Sequence, residues 1–129
     1  MSENDAARPP DHPAREVVVA HGVADGTTFV SLQGEIDVLT ASALGERLDA
    51  LTAGSRPDLV LDLRLVTFID CTGIGVLCRA RNRTLARRGR LRLVTESAVF
   101  RRMLRATGLW GVFEVHTRLP LPLPEASGS

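Results

Sequence analysis

The stretch DLVLDLRLVTFIDCTGIGVL, residues 58–77, constrains the fold of this chain more than any other segment does. In its first half, leucines stand at every second position with Asp62 and Arg64 between them, which is the pattern of a strand with one buried face. The apolar run ends at Ile69, and helical spacing over 72–88, ahead of Gly89, predicts a long helix. Residues 70–72 must therefore turn sharply from a strand into a helix.

Two strands and a helix are predicted ahead of this stretch. Strand-forming residues occupy 16–22 and 27–36, and the Asp-Gly turn signal between them favours an antiparallel hairpin. Apolar residues at helical spacing follow within 40–54, with Thr40 as the candidate N-cap and Gly54 as the expected stop.

The alternation continues after the long helix with a strand at 90–95, a helix within 96–109 that stops at Gly108, and a short strand at 111–117. One face of that last helix carries Val99, Met103 and Leu104. The order predicts an α/β fold, a mixed β-sheet of four to five strands with three to four α-helices packed against it. The residues expected in its core are Leu61, Leu63, Ile69, Leu77 and Val94, together with Phe29, Phe68, Phe100 and Phe113.

The length of 129 residues suits one domain, which we expect to span 16–118. Residues 1–15 are polar with three prolines and are predicted to be a disordered leader, and 119–129 a flexible Pro-rich tail. We find neither a signal-peptide pattern nor the roughly 20 apolar residues of a membrane span, so we expect a cytoplasmic protein without membrane contact.

The charges are balanced, with 16 basic and 15 acidic residues. This balance gives no field to attract nucleic acid, and we expect no direct nucleic-acid contact. Arg79, Arg83 and Arg87 lie on one face of the long helix, either as a solvated surface or as a rim for an acidic partner. Cys71 and Cys78 are not spaced for zinc, and we expect no metal or other cofactor.

The chemistry of the turn depends on Thr72 and the three residues after it. At a helix start, the backbone N–H groups of Gly73, Ile74 and Gly75 would form an anion site that could receive a phosphate attached to Thr72. The two glycines would also let a second protein approach the backbone. Alternatively, Thr72 is a plain N-cap. A Walker-type phosphate loop is excluded because the spacing is wrong and lysine is absent.

Cys71 provides an enzymatic alternative, because a helix N-terminus lowers the pKa of a thiol. Its potential partners lie elsewhere in the sequence, however: His12 in the leader, His21 after the first strand and His116 in the last strand. No nucleophile–base arrangement is recognisable, so we expect the protein not to be an enzyme.

The motifs GEIDVLTASAL and LVLDLRLVTFIDCTGIGVL, some twenty residues apart, resemble the STAS domain of bacterial anti-sigma-factor antagonists. The resemblance covers 16–118 in element order as well as in motifs. In that family the turn usually reads Asp-Ser-Ser-Gly, and its second hydroxyl residue is phosphorylated by a partner kinase that is also the anti-sigma factor. That position falls on Thr72, and Cys71 stands in place of the first serine.

The resemblance implies an anti-sigma-factor antagonist, monomeric or weakly dimeric. Its unphosphorylated form would bind an ATP-dependent anti-sigma-factor kinase and release sigma factor. Phosphorylation of Thr72 would reverse this, and a cognate phosphatase would restore it. The expected neighbours of the phosphosite are Asp37, Asp70, Cys71 and Gly73, and the expected partner surface is Thr72, Gly73, Ile74, Gly75 and Arg79.

Two roles are open for the aspartates. Asp37 is expected to accept a hydrogen bond from the Thr72 hydroxyl and to orient it toward the incoming phosphoryl group. Asp70 could do the same or could cap the helix, and for Asp37 too the alternative is local capping and turn formation. A second class of function also remains, because STAS domains without a kinase switch would serve as stressosome-type scaffolds or bind small ligands.

Overall fold

The computed structural model describes residues 16–120. The predicted leader, 1–15, and residues 121–129 of the predicted tail lie outside this range. The chain forms five strands and three helices in the predicted order: β1 Val17–Ala24, β2 Thr27–Ile36, α1 Ala41–Leu51, β3 Asp58–Ile69, α2 Cys71–Ala86, β4 Arg90–Val94, α3 Ala98–Ala106 and β5 Glu114–His116. None of these helices is both long and apolar enough to cross a membrane.

The five strands form one sheet in the order β1-β2-β3-β4-β5. β1 and β2 pair as the predicted antiparallel hairpin, and β2, β3, β4 and β5 are parallel to one another. The parallel strands therefore all end at one edge of the sheet, here called the carboxyl edge, and all begin at the opposite amino edge. The expectation of a mixed α/β fold is confirmed.

The core is built mainly of leucine, as the scarcity of aromatic residues requires. One set of predicted core residues is confirmed, because none of its members is more than 8% exposed: Leu61, Leu63, Ile69, Leu77 and Val94. Fully burying a side chain of this size contributes about 1.5–3 kcal/mol. This shared core fixes α1 and α2 against β2 and β3, and hence fixes the turns at the carboxyl edge.

β3 does not keep the simple alternation that the sequence suggests. Two irregularities in its register with β2 insert extra residues into the second half of β3. As a result, Leu65 is 58% exposed and Phe68 is 49% exposed. The prediction that Phe68 belongs to the core is wrong, because the bulges turn this part of the strand toward solvent.

The apolar face of α3 also differs from the prediction. Val99 is 62% exposed, whereas Phe100 and Leu104 are buried. The buried pair is spaced by four residues and therefore shares one face of the helix, from which Val99 is rotated by one residue. The assignment of Val99 to the buried face is wrong.

The helix stops are only partly as predicted. Gly108 follows α3 with a φ of 76°, as expected of a glycine stop. α1 ends at Leu51, before Gly54. After α2 the left-handed residue is Arg88, with a φ of 62°, and not Gly89. Gly89 is required for a different reason, because a Cβ there would collide with the backbone of the α1–β3 loop.

Candidate functional site

The predicted site lies where β2 and β3 end side by side at the carboxyl edge. Ile36 and Ile69 are paired as the last residues of these parallel strands. The N–H of Asp70 donates to the carbonyl oxygen of Ile36, 3.2 Å away. Asp37 and Asp70 each follow directly after their strand, so the two aspartates predicted to flank the hydroxyl come from two adjacent turns.

Asp70 is the N-cap of α2. Its Oδ1 accepts a hydrogen bond from the N–H of Gly73 at 3.0 Å, and its carbonyl oxygen accepts from the N–H of Ile74 at 2.9 Å. The capping role left open for Asp70 is therefore the observed one. These two amides are already engaged, so they do not form the open anion cradle expected from the sequence.

Thr72 is the second residue of α2, and both Thr72 and Cys71 are exposed. The alternative in which Thr72 is the N-cap is wrong, because Asp70 holds that position two residues earlier. By their place in the helix, the N–H groups of Cys71 and Thr72 have no carbonyl partner one turn back. The positive end of the helix dipole lies at this point and favours negative charge there.

The two glycines of the motif have different surroundings. Gly73 is buried, and a Cβ there would lie 2.6 Å from Cγ1 of Ile69 and 2.9 Å from the carbonyl oxygen of Ile36. Gly73 therefore serves close packing of α2 on its own strands and leaves no room for a second protein. Gly75 is exposed, with nothing within 4 Å of an added Cβ, and remains open to an approaching partner.

Asp37 closes the β2–α1 turn. The residue is 5% exposed, and its Oδ1 accepts hydrogen bonds from the N–H of Leu39 at 2.9 Å and of Thr40 at 3.2 Å. Thr40 precedes α1 but does not cap it with its side chain. Instead its hydroxyl accepts from the N–H of Asp37 and donates to the carbonyl oxygen of Glu35. The capping role predicted for the Thr40 side chain is wrong, because its hydroxyl is used to fix the turn.

Comparison with known proteins agrees with this architecture. The STAS domain family model matches residues 17–120. Anti-sigma-F factor antagonist RsfB of Mycobacterium tuberculosis H37Rv is 32% identical over 99 residues, which cover 75% of this chain and 80% of that protein. The anti-sigma-B factor antagonist of Bacillus subtilis 168 is 33% identical over 89 residues, which cover 69% of this chain and 81% of that protein.

A solved structure supports the same assignment. The crystal structure of an anti-sigma factor antagonist from Mycobacterium paratuberculosis superimposes with a TM-score of 0.73 at 32% identity, covering 86% of this chain and 91% of that one. The chain belongs to the STAS domain family. The fold and family expected from the two sequence motifs are thus confirmed, and the relatives named above are anti-sigma factor antagonists.

In this STAS domain, Arg79 is engaged within the chain. Its guanidinium donates two hydrogen bonds to the carboxylate of Asp49 on α1, at 3.0 and 2.9 Å. The hydrogen bond from Arg79 holds the pKa of Asp49 below its usual value. Arg83 joins the same cluster by donating to Thr52 Oγ1 and to the carbonyl oxygen of Asp49. The cluster ties α1 to α2, so a partner that uses Arg79 must compete with Asp49.

The residues considered for catalysis that fall within 16–120 do not converge, and His12 lies outside this range. Cys71 begins α2, whereas His21 lies on β1 and His116 on β5, the two edge strands of the sheet. The His116 ring pairs with Glu114 at 2.9 Å. Within residues 16–120 there is also no group of three or more His, Cys, Asp or Glu side chains placed to hold a metal ion.

Exposed apolar side chains at the carboxyl edge were missed by the sequence analysis. Val38 and Leu39, in the turn after β2, are 69% and 70% exposed. Leu65 and Phe68, in the second half of β3, are exposed as described above, and we call these four residues the apolar rim. The sequence feature that could have predicted them is the occurrence of two large apolar residues, Val38 and Leu39, inside a predicted turn. Such a concentration of exposed apolar surface is typical of a protein interaction site.

Proposed function

We propose that this STAS domain is an anti-sigma factor antagonist whose Thr72 is the phosphorylation switch. Its unphosphorylated form binds an anti-sigma-factor serine/threonine kinase and releases sigma factor. Phosphorylation of Thr72 with ATP reverses the binding, and a phosphatase resets it. The observation that carries the proposal is the exposed Thr72 hydroxyl on a rigid turn, in a chain 32–33% identical to two anti-sigma factor antagonists. The partners are cytoplasmic, and the domain acts there.

The position of Thr72 suits phosphoryl transfer. Such transfer depends mainly on holding the acceptor in place, and the Asp70 cap and the close packing of Gly73 hold the first turn of α2. The helix start then tolerates the added charge of about −1.5 to −2. The domain can therefore carry the phosphate without unfolding.

Release follows from where that charge lies. A partner seated over the turn and the apolar rim would have to exclude water from the phosphate or meet it with charges of its own. Like charges brought together in an interface cost several kcal/mol, and each 1.4 kcal/mol lowers affinity about tenfold.

The test measures kinase binding and phosphate transfer for variants of Thr72. We expect Thr72→Asp, which adds one charge, to weaken binding by at least about tenfold. Thr72→Ala should bind normally, accept no phosphate and change the free energy of unfolding by less than about 0.5 kcal/mol, because Thr72 is not a cap. Thr107→Asp, at an exposed threonine after α3 on the opposite, amino edge of the sheet, is the control and should bind like the parent. A phosphate that maps elsewhere, with Thr72→Asp binding fully, would refute the switch.

The apolar rim supplies a second arm. Leu39→Ser and Phe68→Ser should each lower kinase affinity, whereas Val23→Ser should not, because Val23 is equally exposed, at 70%, but lies on the edge strand β1. Size-exclusion chromatography distinguishes the proposed antagonist from the remaining alternative, a scaffold. A stressosome-type scaffold would elute as a large assembly, and the proposed antagonist as a monomer or dimer.

A further inference from the structure

Two loops at the amino edge are locked together, far from Thr72. The N–H of Arg56, in the α1–β3 loop, donates to the carbonyl oxygen of Arg87 at the end of α2, at 3.0 Å. The N–H of Arg90 donates to the carbonyl oxygen of Pro57 at 2.8 Å. Gly89 packs so closely on Pro57 that no Cβ fits between them. Arg56, Arg87 and Arg88 are thereby brought side by side, and we call these three residues the arginine pole.

The backbone of the arginine pole is strained at two places. Arg56 has a φ of 51° and Arg88 a φ of 62°, in the left-handed region that favours glycine. Glycine would relieve the strain at either position. Arginine carries a backbone cost at these two positions that glycine would not, and residues with such a cost cluster at binding sites.

The guanidinium groups of the arginine pole have no acidic partner among residues 16–120. Elsewhere in the described part of the chain, five arginines pair with carboxylates: Arg64, Arg79, Arg83, Arg90 and Arg92. No hydrogen bond or ion pair of residues 16–120 involves the guanidinium of Arg56, Arg87 or Arg88. The dipole of α2 favours positive charge at its end, but it accounts for neither Arg56 nor the strain at Arg88.

A shallow surface depression of about 370 Å³, wide open to solvent, lies between the same loops. It is lined by Ala53, Gly54, Ser55, Ala86, Arg87 and Arg88. Four of these residues are small, so a ligand beside the two arginines can approach the backbone. A guanidinium binds a carboxylate through two parallel hydrogen bonds.

We propose that the arginine pole binds an acidic segment of a protein partner, one that carries several carboxylates in succession. The openness of the depression suits a peptide chain, and its unpaired positive charge complements carboxylates. β3 has 12 residues and spans about 40 Å between this pole and the Thr72 turn. The domain can therefore hold one partner at each end, and the inference stands independently of the function proposed for Thr72.

The test is fluorescence anisotropy of a fluorescein-labelled hexaglutamate peptide at about 50 mM salt, with hexaglutamine as the neutral reference. We expect hexaglutamate alone to bind, and the double substitution Arg87→Gln and Arg88→Gln, at the two arginines that line the depression, to weaken it at least about tenfold. The matched control is Arg101→Gln with Arg102→Gln on α3, which removes the same charge from arginines that also lack acidic partners within 16–120. The control should bind like the parent.

A second variant separates binding from folding. Arg88→Gly should raise the melting temperature by a few degrees, since it relieves the left-handed strain, and should still weaken peptide binding. No hexaglutamate binding, or an equal loss in the control pair, would overturn the proposal. Inorganic pyrophosphate binding more tightly than hexaglutamate would also overturn it, because the pole would then be a phosphate site.

Discussion

Replacing Gly73 or Gly75 with alanine should have opposite effects on the stability of the domain, although both residues lie in α2. Alanine in place of a helical glycine normally stabilises by about 0.5–1 kcal/mol, because the unfolded backbone loses freedom. At Gly75 nothing lies within 4 Å of the new Cβ, so Gly75→Ala should show this gain in full. Comparing the two alanine variants therefore separates the effect of the contacts of the new Cβ on stability from the effect of helix propensity.

At Gly73 the new Cβ would meet Cγ1 of Ile69 at 2.6 Å, Cγ2 of Ile36 at 2.7 Å and the carbonyl oxygen of Ile36 at 2.9 Å. The last of these is backbone held in the sheet and cannot rotate away. Overpacking of this kind costs about 1–3 kcal/mol, which exceeds the propensity gain. We expect Gly73→Ala to lose roughly 1–2 kcal/mol net.

The measurement is urea unfolding of the parent and both variants, followed by circular dichroism. The two alanine variants should differ by about 2 kcal/mol, or roughly 8 °C in melting temperature or more for a domain of this size. If Gly73→Ala were as stable as Gly75→Ala, the strands would not pack against α2 as described, and the rigid turn under Thr72 would lose its main support.

Three further outcomes are expected. Asp37→Ala should lower the free energy of unfolding in urea by about 2–3 kcal/mol, because two backbone amides lose a charged acceptor. Asp37→Asn should lower it less but should slow phosphate transfer to Thr72. An unchanged transfer rate would refute the orienting role of Asp37. The pKa of Glu114 is lowered from 4.5 to about 2, chiefly by the hydrogen bond from Arg90, so its stabilising effect is complete above about pH 4.5 and is lost as the pH falls toward 2. Glu114→Gln should flatten that part of the stability–pH curve. Asp49→Asn should lower stability by up to about 1 kcal/mol, less in high salt, as measured by melting at two salt concentrations.

The order of strands and helices could be predicted because apolar residues recur at a different spacing in strands than in helices. Alternating leucines predicted β3, and apolar residues at helical spacing predicted α2. The bulges in β3 leave no such signal, since they depend on the register with β2. The exposure of Leu65 and Phe68 therefore could not be read from the chain alone, and with it half of the apolar rim was missed.

The sequence predicted where the site lies but not which residue plays which role in it. Asp70 and Thr72 are both residue types that cap helices, and only the backbone shows which one stands at the boundary. Gly73 and Gly75 look equivalent in a sequence, although one is packed on two strands and the other faces solvent. The pairing of Arg79 with Asp49 joins residues 30 positions apart, which no local pattern predicts.

The rigidity of the turn limits how a phosphate on Thr72 could act. The Asp70 cap, the hydrogen bond from the N–H of Asp70 to the carbonyl oxygen of Ile36 and the close contact at Gly73 involve buried or partly buried residues, whereas Thr72 is exposed. A phosphate would therefore change the charge of the surface without breaking any of these contacts. The switch would then operate at the interface and not through the fold, so the phosphorylated and unphosphorylated domains should have the same backbone and differ only in what can dock on it.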